Sequence, residues 1–130
     1  MLARTHPALA NQHYRNMELQ SRVASASPHG LVSLLYEELL RSLDLLVVTV
    51  GRGSPISGNP HHIKALSILI ALDSSIDFDN GGDLAGVLQR IYTSAVRTLN
   101  HAAQANNVDE VTEVRSALSE IAYAWAALAK

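Results

Sequence analysis

The chain has 130 residues, enough for one domain with its own core, and 48% of them are hydrophobic but only 5% aromatic. Twelve acidic and ten basic residues give a net charge of −2, which argues against a nucleic-acid partner. The absence of cysteine excludes disulfides, thiol catalysis and thiolate metal sites. The N-terminus lacks a signal-like apolar run, and the longest apolar stretch, residues 45–48, cannot span a bilayer. We therefore expect a soluble cytoplasmic protein.

Residues 1–26 carry the weakest pattern of the chain. Leu9, Tyr14, Met17 and Leu19 can form one weakly apolar helical face, which is too short to be stable alone. Two interpretations stay open for this segment. It is either a frayed tail, or a mobile lid that docks on the rest of the protein through apolar contact and can leave.

The first strong helix begins at Ser27 and Pro28. A serine caps free backbone N–H groups, and a proline costs nothing in the first helical turn. The pattern predicts a helix to about Val50 that ends at Gly51, with a solvent-side ion pair between Glu37 and Arg41. Its apolar stripe, which includes Leu31, Leu35 and Leu39, is broader than one neighbouring helix requires. Either several helices pack around it, or part of it lines a ligand groove.

Three more helices follow. Asn59 and Pro60 repeat the capping signal before a helix that carries Ile63 and Leu66, and residues 77–82 break the pattern. The next helix spans about residues 84–102. Asn107 and Glu110 have the spacing of a capping box at the start of the last helix. That helix places Val111, Val114, Leu118, Ile121, Trp125 and Leu128 three and four residues apart, and we interpret Trp125 as a core residue. We predict an all-α protein: an antiparallel four-helix bundle over residues 27–130, preceded by a short mobile N-terminal segment, residues 1–26.

No set of residues predicts catalysis. His61 and His62 are adjacent, so on a helix they point about 100° apart and cannot chelate one metal ion together; we interpret both as solvated. Asp73, Asp77, Asp79 and Asp83 lack the bidentate glutamate of a calcium loop, and we interpret them as helix punctuation. We therefore expect a protein that is not an enzyme and needs no metal or cofactor.

Three patches follow one another along the chain: Tyr14, Ser21, Val23, residues 25–28, Leu31 and residues 34–36; then Leu72, Ile76, Asp77, residues 81–85, Leu88, Ile91 and Tyr92; and finally residues 121–125. Through these patches the sequence resembles the FliS family of flagellar export chaperones. Two positions depart from the family pattern. Glu37–Glu38 stand where the family has Asp-Gly, and Val87 stands where it often has Asn.

The resemblance implies a cytoplasmic chaperone that binds the C-terminal segment of flagellin in apolar grooves. Such a chaperone prevents premature polymerisation and supports delivery to the export apparatus, where the export gate is a second candidate partner. Neither nucleic-acid binding nor membrane insertion is expected. The positions that we assign to partner binding are Tyr14, Val23, Leu31, Leu35, Leu39, Ile63 and Leu66. The alternative is a non-catalytic helical regulatory or dimerisation protein unrelated to flagellin.

Overall fold

The computed structural model describes residues 7–128, and this part of the chain is all-helical, without a strand. The helices are α1 (Pro7–Ser25), α2 (Pro28–Gly51), α3 (Pro60–Ser74), α4 (Gly82–Ala105) and α5 (Val108–Ala127). The predicted all-α class is confirmed. The sequence predicted four strong helices, and α1 is a fifth, in the segment with the weakest pattern. Residues 1–6 of that segment lie outside the described range.

The helix starts follow the capping signals. The Ser27 hydroxyl accepts a hydrogen bond from the Gly30 N–H, and the Asn59 side chain accepts one from the His61 N–H. At the start of α5 the Asn107 side chain accepts from Asp109. The capping box expected there does not form, because the Glu110 carboxylate accepts a hydrogen bond from His101 of α4 instead.

The four long helices after α1 contact one another in a ring. Helix α2 contacts α3 and α5, and α4 contacts the same two helices from the other side. The core lies inside this ring and includes Leu39, Leu43, Leu46, Leu69, Leu72, Leu99, Val111 and Leu118. The loop between α2 and α3 closes one end, because Ile56 is fully buried and its N–H donates to the Asn106 side chain at 3.1 Å.

Helix α1 lies against the outside of the ring and is held by charged side chains. Arg15 pairs with Glu38 of α2 at 2.9 Å, and Glu38 also accepts from Lys64 of α3 at 3.2 Å. Arg22 donates two hydrogen bonds to Glu37, which corrects the predicted pair of Glu37 with Arg41. Arg22, on a neighbouring helix, presents its guanidinium to the Glu37 carboxylate in bidentate geometry. Such a pair is stronger than a single hydrogen bond between two residues of the same helix.

The apolar residues of α1 are divided between solvent and the ring. The Tyr14 side chain is 76% exposed and Met17 is also exposed, whereas Leu19 is half-buried against α2. Tyr14 and Met17 therefore make no apolar docking contact, and the lid stays a prediction. The ion pairs orient α1, and they leave its outer apolar residues in solvent.

Candidate partner-binding surfaces

Three of the predicted partner-binding residues flank the turn between α1 and α2. Only Ala26 and Ser27 separate the two helices, so the end of α1 and the start of α2 lie side by side. Val23 and Leu31 are exposed there, and Leu35 is half-buried one turn further along α2. We call these three residues the turn patch and treat them as a candidate apolar surface.

A second apolar surface lies on α3. Ile63 is 55% exposed, Ile70 is 61% exposed, and Leu66 between them is half-buried. Positions three, four and seven residues apart share one helix face, so these residues form a stripe, the α3 stripe. Lys64 faces α2 through its contact with Glu38, and Ile63 is about 100° from Lys64 around the helix. The α3 stripe therefore points away from α2, separate from the turn patch. Ile70 is not among the predicted partner-binding residues, although its spacing of seven from Ile63 was a usable signal.

Leu39 does not belong to either surface. Its side chain is fully buried in the core, where α2 meets its neighbours. The spacing that links Leu31, Leu35 and Leu39 follows one side of α2 for two turns. Leu31 lies near the end of the helix and Leu39 nearer its middle, where surrounding helices cover it. We remove Leu39 from the candidate site for this reason.

Helices α4 and α5 form a groove that sequence reasoning missed. The groove has a volume of about 400 Å³, and its floor contains Ile91, Val114 and Leu118. Small side chains such as Ser94 and Ala117 line its walls. No sequence signal distinguishes these positions from ordinary core positions, because the opening depends on how far apart the two helices lie.

A smaller cavity of about 230 Å³ lies at the end of the ring beside the loop between α3 and α4. Trp125 lines it and is half-buried, less than the core position that the sequence suggested. Its indole Nε1–H donates to the His29 carbonyl oxygen at 3.1 Å, and its ring stacks on the His29 ring at 4.4 Å. Trp125 thus fastens the end of α5 to the start of α2.

Two tyrosine hydroxyls meet inside the ring. Tyr36 of α2 and Tyr92 of α4 are almost completely buried, and their hydroxyl groups are hydrogen-bonded to each other. Burial raises the pKa of both phenols above the ordinary value, and the hydrogen bond to Tyr92 raises the pKa of Tyr36 further. Both side chains therefore stay neutral at physiological pH, and they have no basic partner that would make either a nucleophile.

The histidine pair differs from the expectation. His62 is buried, and its Nε2 lies 2.9 Å from the Leu99 carbonyl oxygen of α4, so this ring has a structural role. Only His61 remains partly in solvent. The Leu99 carbonyl oxygen accepts a hydrogen bond from the His62 ring N–H, which explains how a buried histidine is tolerated in this position.

The acidic run turns inward on its own loop. The Asp77 carboxylate accepts hydrogen bonds from the backbone N–H groups of Asp79 and Asn80 and from the Asn80 side chain. The Asn80 side chain is the main reason that the pKa of Asp77 is lowered. Gly81 follows, and a Cβ there would lie 2.5 Å from the Asp77 carbonyl oxygen. This geometry supports the interpretation of the run as punctuation before α4.

The composition and geometry of residues 7–128 also bear on metal binding and membrane insertion. Within that range no three His, Asp or Glu side chains cluster as a metal site would need. No helix there combines the length and apolar composition that crossing a membrane requires.

Comparison with known proteins identifies the family. The sequence profile described as "Flagellar protein FliS" matches residues 10–130. The chain is 30% identical over 113 residues to the flagellar secretion chaperone FliS of Salmonella typhimurium, covering 86% of this chain and 84% of that protein. It is also 30% identical over 115 residues to the protein of the same name from Vibrio cholerae, covering 88% of this chain and 84% of that protein. The Campylobacter jejuni protein of this name is 30% identical over 111 residues, covering 85% and 86%.

The resemblance noted from three sequence patches is thus confirmed over nearly the whole described chain. The matched region contains all five helices except the first residues of α1. The chain belongs to the FliS family of flagellar proteins, a family of secretion chaperones and not of enzymes.

Proposed function

We propose that this protein is a cytoplasmic secretion chaperone that binds the C-terminal segment of flagellin in apolar grooves. Binding keeps that segment from polymerising early and supports its delivery to the flagellar export apparatus, with the export gate as a further partner. The observation that carries the proposal is the family match over residues 10–130, together with relatives named as flagellar secretion chaperones.

The exposed apolar surfaces support a polypeptide ligand. An amphipathic segment that folds on binding buries its apolar side in such a surface, and part of the contact energy is used in ordering it. The turn patch and the α3 stripe are two separate areas of this kind. A ligand that contacts both must pass around α3 and α2, which suits an extended chain with short helices better than one rigid helix.

The contacts within the ring support an antiparallel four-helix bundle for α2 to α5. His29 near the start of α2 contacts Trp125 near the end of α5, whereas Asp44 further along α2 pairs with Arg115 nearer the start of α5. Likewise, Thr49 near the end of α2 bonds Asn59, just before α3. Contacts whose residue numbers run in opposite directions are typical of antiparallel neighbours.

The position of α1 supports the lid hypothesis for residues 1–26. The pair of Arg22 with Glu37 is exposed and that of Arg15 with Glu38 is part-buried. Ion pairs near the surface contribute little to stability, so we expect α1 to leave the ring at a modest free-energy cost. Its departure would expose the α2 surface beneath Leu19, next to the turn patch.

The test is calorimetric titration of the protein with flagellin. The double variant I63S/I70S removes apolar contact area from the α3 stripe, so we expect flagellin affinity to fall about tenfold. The melting temperature should hardly change, because both side chains are exposed. The matched control is V48S, which alters an aliphatic side chain of similar exposure on α2 and should bind normally. Wild-type protein that does not bind flagellin would refute the proposal and favour a regulatory or dimerisation role.

A further inference from the structure

The cavity at the end of the ring, which we call the end cavity, has room for an aromatic ring. Its volume is about 230 Å³, and a cavity of about 150 Å³ lined by apolar side chains is enough to hold benzene. All four helices of the ring contribute to its lining, which is mostly apolar and includes Val32, Leu72, Leu88 and Trp125. An aromatic side chain would therefore find apolar surroundings in the end cavity.

The end cavity opens to solvent beside the loop between α3 and α4. Leu84 lines it and is 48% exposed, and the lining residues Asp77 and Asn80 are exposed as well. Phe78, in the same loop, also exposes its apolar side chain. Exposed apolar residues around an open cavity are typical of a partner site. A ligand can enter from this side without displacing a helix of the ring.

The mouth of the end cavity is acidic. Residues 65–89 contain four aspartates and no lysine, arginine or histidine, so this stretch carries a charge of −4 in a chain of net charge −2. Asp77 lines the cavity, and Asp79 and Asp83 are exposed beside it along the chain. None of the ion pairs within residues 7–128 involves these three carboxylates. The hydrogen bond from the Asn80 side chain lowers the pKa of Asp77, so its charge persists at neutral pH.

An apolar cavity with an acidic mouth favours a ligand that carries positive charge beside an apolar group. Neither Asp79 nor Asp83 lines the cavity, so a ligand that contacts these carboxylates must extend beyond it. A polypeptide can do this, with an aromatic side chain in the cavity and lysine or arginine on both sides. We propose that the end cavity binds a basic polypeptide segment through one aromatic side chain.

The end cavity is separate from the surfaces assigned to flagellin. None of the predicted partner-binding residues lines it. Val32 lines it, but the neighbouring Leu31 of the turn patch points about 100° away around α2. The inference therefore goes beyond the proposed function and does not depend on it. A basic segment and flagellin can be bound at the same time.

Fluorescence of Trp125 tests the inference directly. Trp125 is the only tryptophan of the chain and lines the end cavity, so its emission reports an occupant. The probe is a synthetic peptide with one phenylalanine between two pairs of lysines and with glycine at the other positions. Added to the full-length protein, it should shift the Trp125 emission with a dissociation constant on the order of 100 μM at low salt. High ionic strength should weaken binding, because it screens the charges at the mouth.

Two altered peptides separate the anchor from the charge. Replacing phenylalanine by alanine should weaken binding about tenfold, because the apolar contact in the cavity is lost. Replacing the lysines by glutamates should abolish binding, because like charges then meet at the mouth.

The variant D79N/D83N tests the acidic mouth. It removes two exposed charges and retains Asp77, which orders the loop, so we expect the lysine peptide to bind about fivefold more weakly at low salt. The matched control is D109N/E113Q, which removes the same charge near the start of α5, at the other end of the ring. Each pair also loses one aspartate from the first turn of a helix. The control should bind the peptide as wild type does.

Two further variants test the cavity itself. V32F places a larger side chain in the end cavity and should abolish the emission shift. L84A removes apolar surface at the mouth and should weaken binding several-fold; since Leu84 is exposed, this variant is expected to fold even if V32F does not. Circular dichroism of each variant checks that the helices remain intact.

Four results would overturn the inference. An unchanged Trp125 emission up to about 1 mM peptide means that the end cavity takes no basic segment. Equal binding of the phenylalanine and alanine peptides means that charge alone attracts the probe. Equal binding by wild type and D79N/D83N places the charge contact elsewhere. Flagellin that displaces the peptide assigns the cavity to flagellin. Protein that binds the peptide but not flagellin would refute the proposed function and leave this inference standing.

Discussion

At the level of single residues, the paired hydroxyls of Tyr36 and Tyr92 connect two helices that are not neighbours in the ring. Each hydroxyl satisfies the other inside the core, where both side chains are almost completely buried. A buried polar group without a partner costs more free energy than the hydrogen bond itself contributes. The pair therefore specifies how α2 and α4 face each other across the core.

We expect Y36F to destabilise the protein by about 1–3 kcal/mol, because it leaves the Tyr92 hydroxyl buried without a partner. The double variant Y36F/Y92F should cost less than the sum of the single variants. Urea denaturation of all four proteins measures this coupling. Additive costs would mean that the two hydroxyls contribute independently.

The same pair predicts a pH dependence. Burial raises the pKa of both phenols in the folded protein above the unfolded value of 10.0. The unfolded chain then ionises first as the pH rises, so the free energy of unfolding falls above about pH 10. Denaturation measured between about pH 8 and 11 should show a shallower loss in Y36F/Y92F than in wild type. Parallel curves would contradict this assignment.

Trp125 carries the third residue-level prediction. It is half-buried, so W125A should cost about 2–3 kcal/mol, less than the loss of a fully buried aromatic side chain. W125F keeps part of the stacking on His29 but loses the Nε1–H donor, and its cost should be intermediate. Thermal unfolding of both variants is the measurement. Unchanged stability in W125A combined with lost flagellin binding would identify Trp125 as a partner anchor.

At the level of elements, α1 differs from the other helices because charged side chains attach it. Glu38 is central to this attachment, since it contacts both Arg15 of α1 and Lys64 of α3. The other helices bury continuous apolar faces, so their stability depends on packing and not on ionic strength. This contrast predicts that α1 opens independently of the ring.

We expect E38Q to speed amide hydrogen exchange in α1 several-fold while leaving α3 to α5 protected. The matched control is D44N, which removes the ion pair between Asp44 and Arg115 and should leave α1 unaffected. Exchange followed by mass spectrometry resolves the two regions. Equal protection of α1 in wild type and E38Q would show that apolar contacts such as Leu19 hold it.

Deletion of residues 1–18 tests whether α1 acts as a lid. Removal should speed or tighten flagellin binding and lower solubility, because the surface under α1 becomes exposed. Weaker binding would instead assign Tyr14 a direct contact with flagellin. Unchanged affinity and unchanged aggregation would leave the lid without support.

At the level of the whole molecule, the core is continuous through all four helices of the ring. Leu99 of α4 is fully buried in it, whereas Leu128 beyond the end of α5 is exposed. We expect L99A to lower the free energy of unfolding by about 2–5 kcal/mol and L128A to have little effect. Circular dichroism and Trp125 fluorescence should follow one transition in both variants. Separate transitions would mean that the ring does not unfold as a unit.

The helical class and the starts of α2, α3 and α5 were predictable from local sequence signals alone. Ser27–Pro28 and Asn59–Pro60 act locally, through backbone groups one to three residues away, so no tertiary information is needed to recognise them. The family pattern was also readable, because it depends on residue identity and order. The absence of a catalytic constellation in the sequence agrees with membership of a chaperone family.

Which apolar residues are covered depends on how the helices pack against one another. Leu31 and Leu39 share one side of α2, yet one is exposed and the other fully buried, because helical periodicity places residues on a face without specifying the neighbour that covers it. For the same reason, the sequence could not predict the partner of Glu37, the burial of His62 or the groove between α4 and α5. The position of α1 was not predictable either, because it depends on ion pairs with residues more than a dozen positions away in the chain.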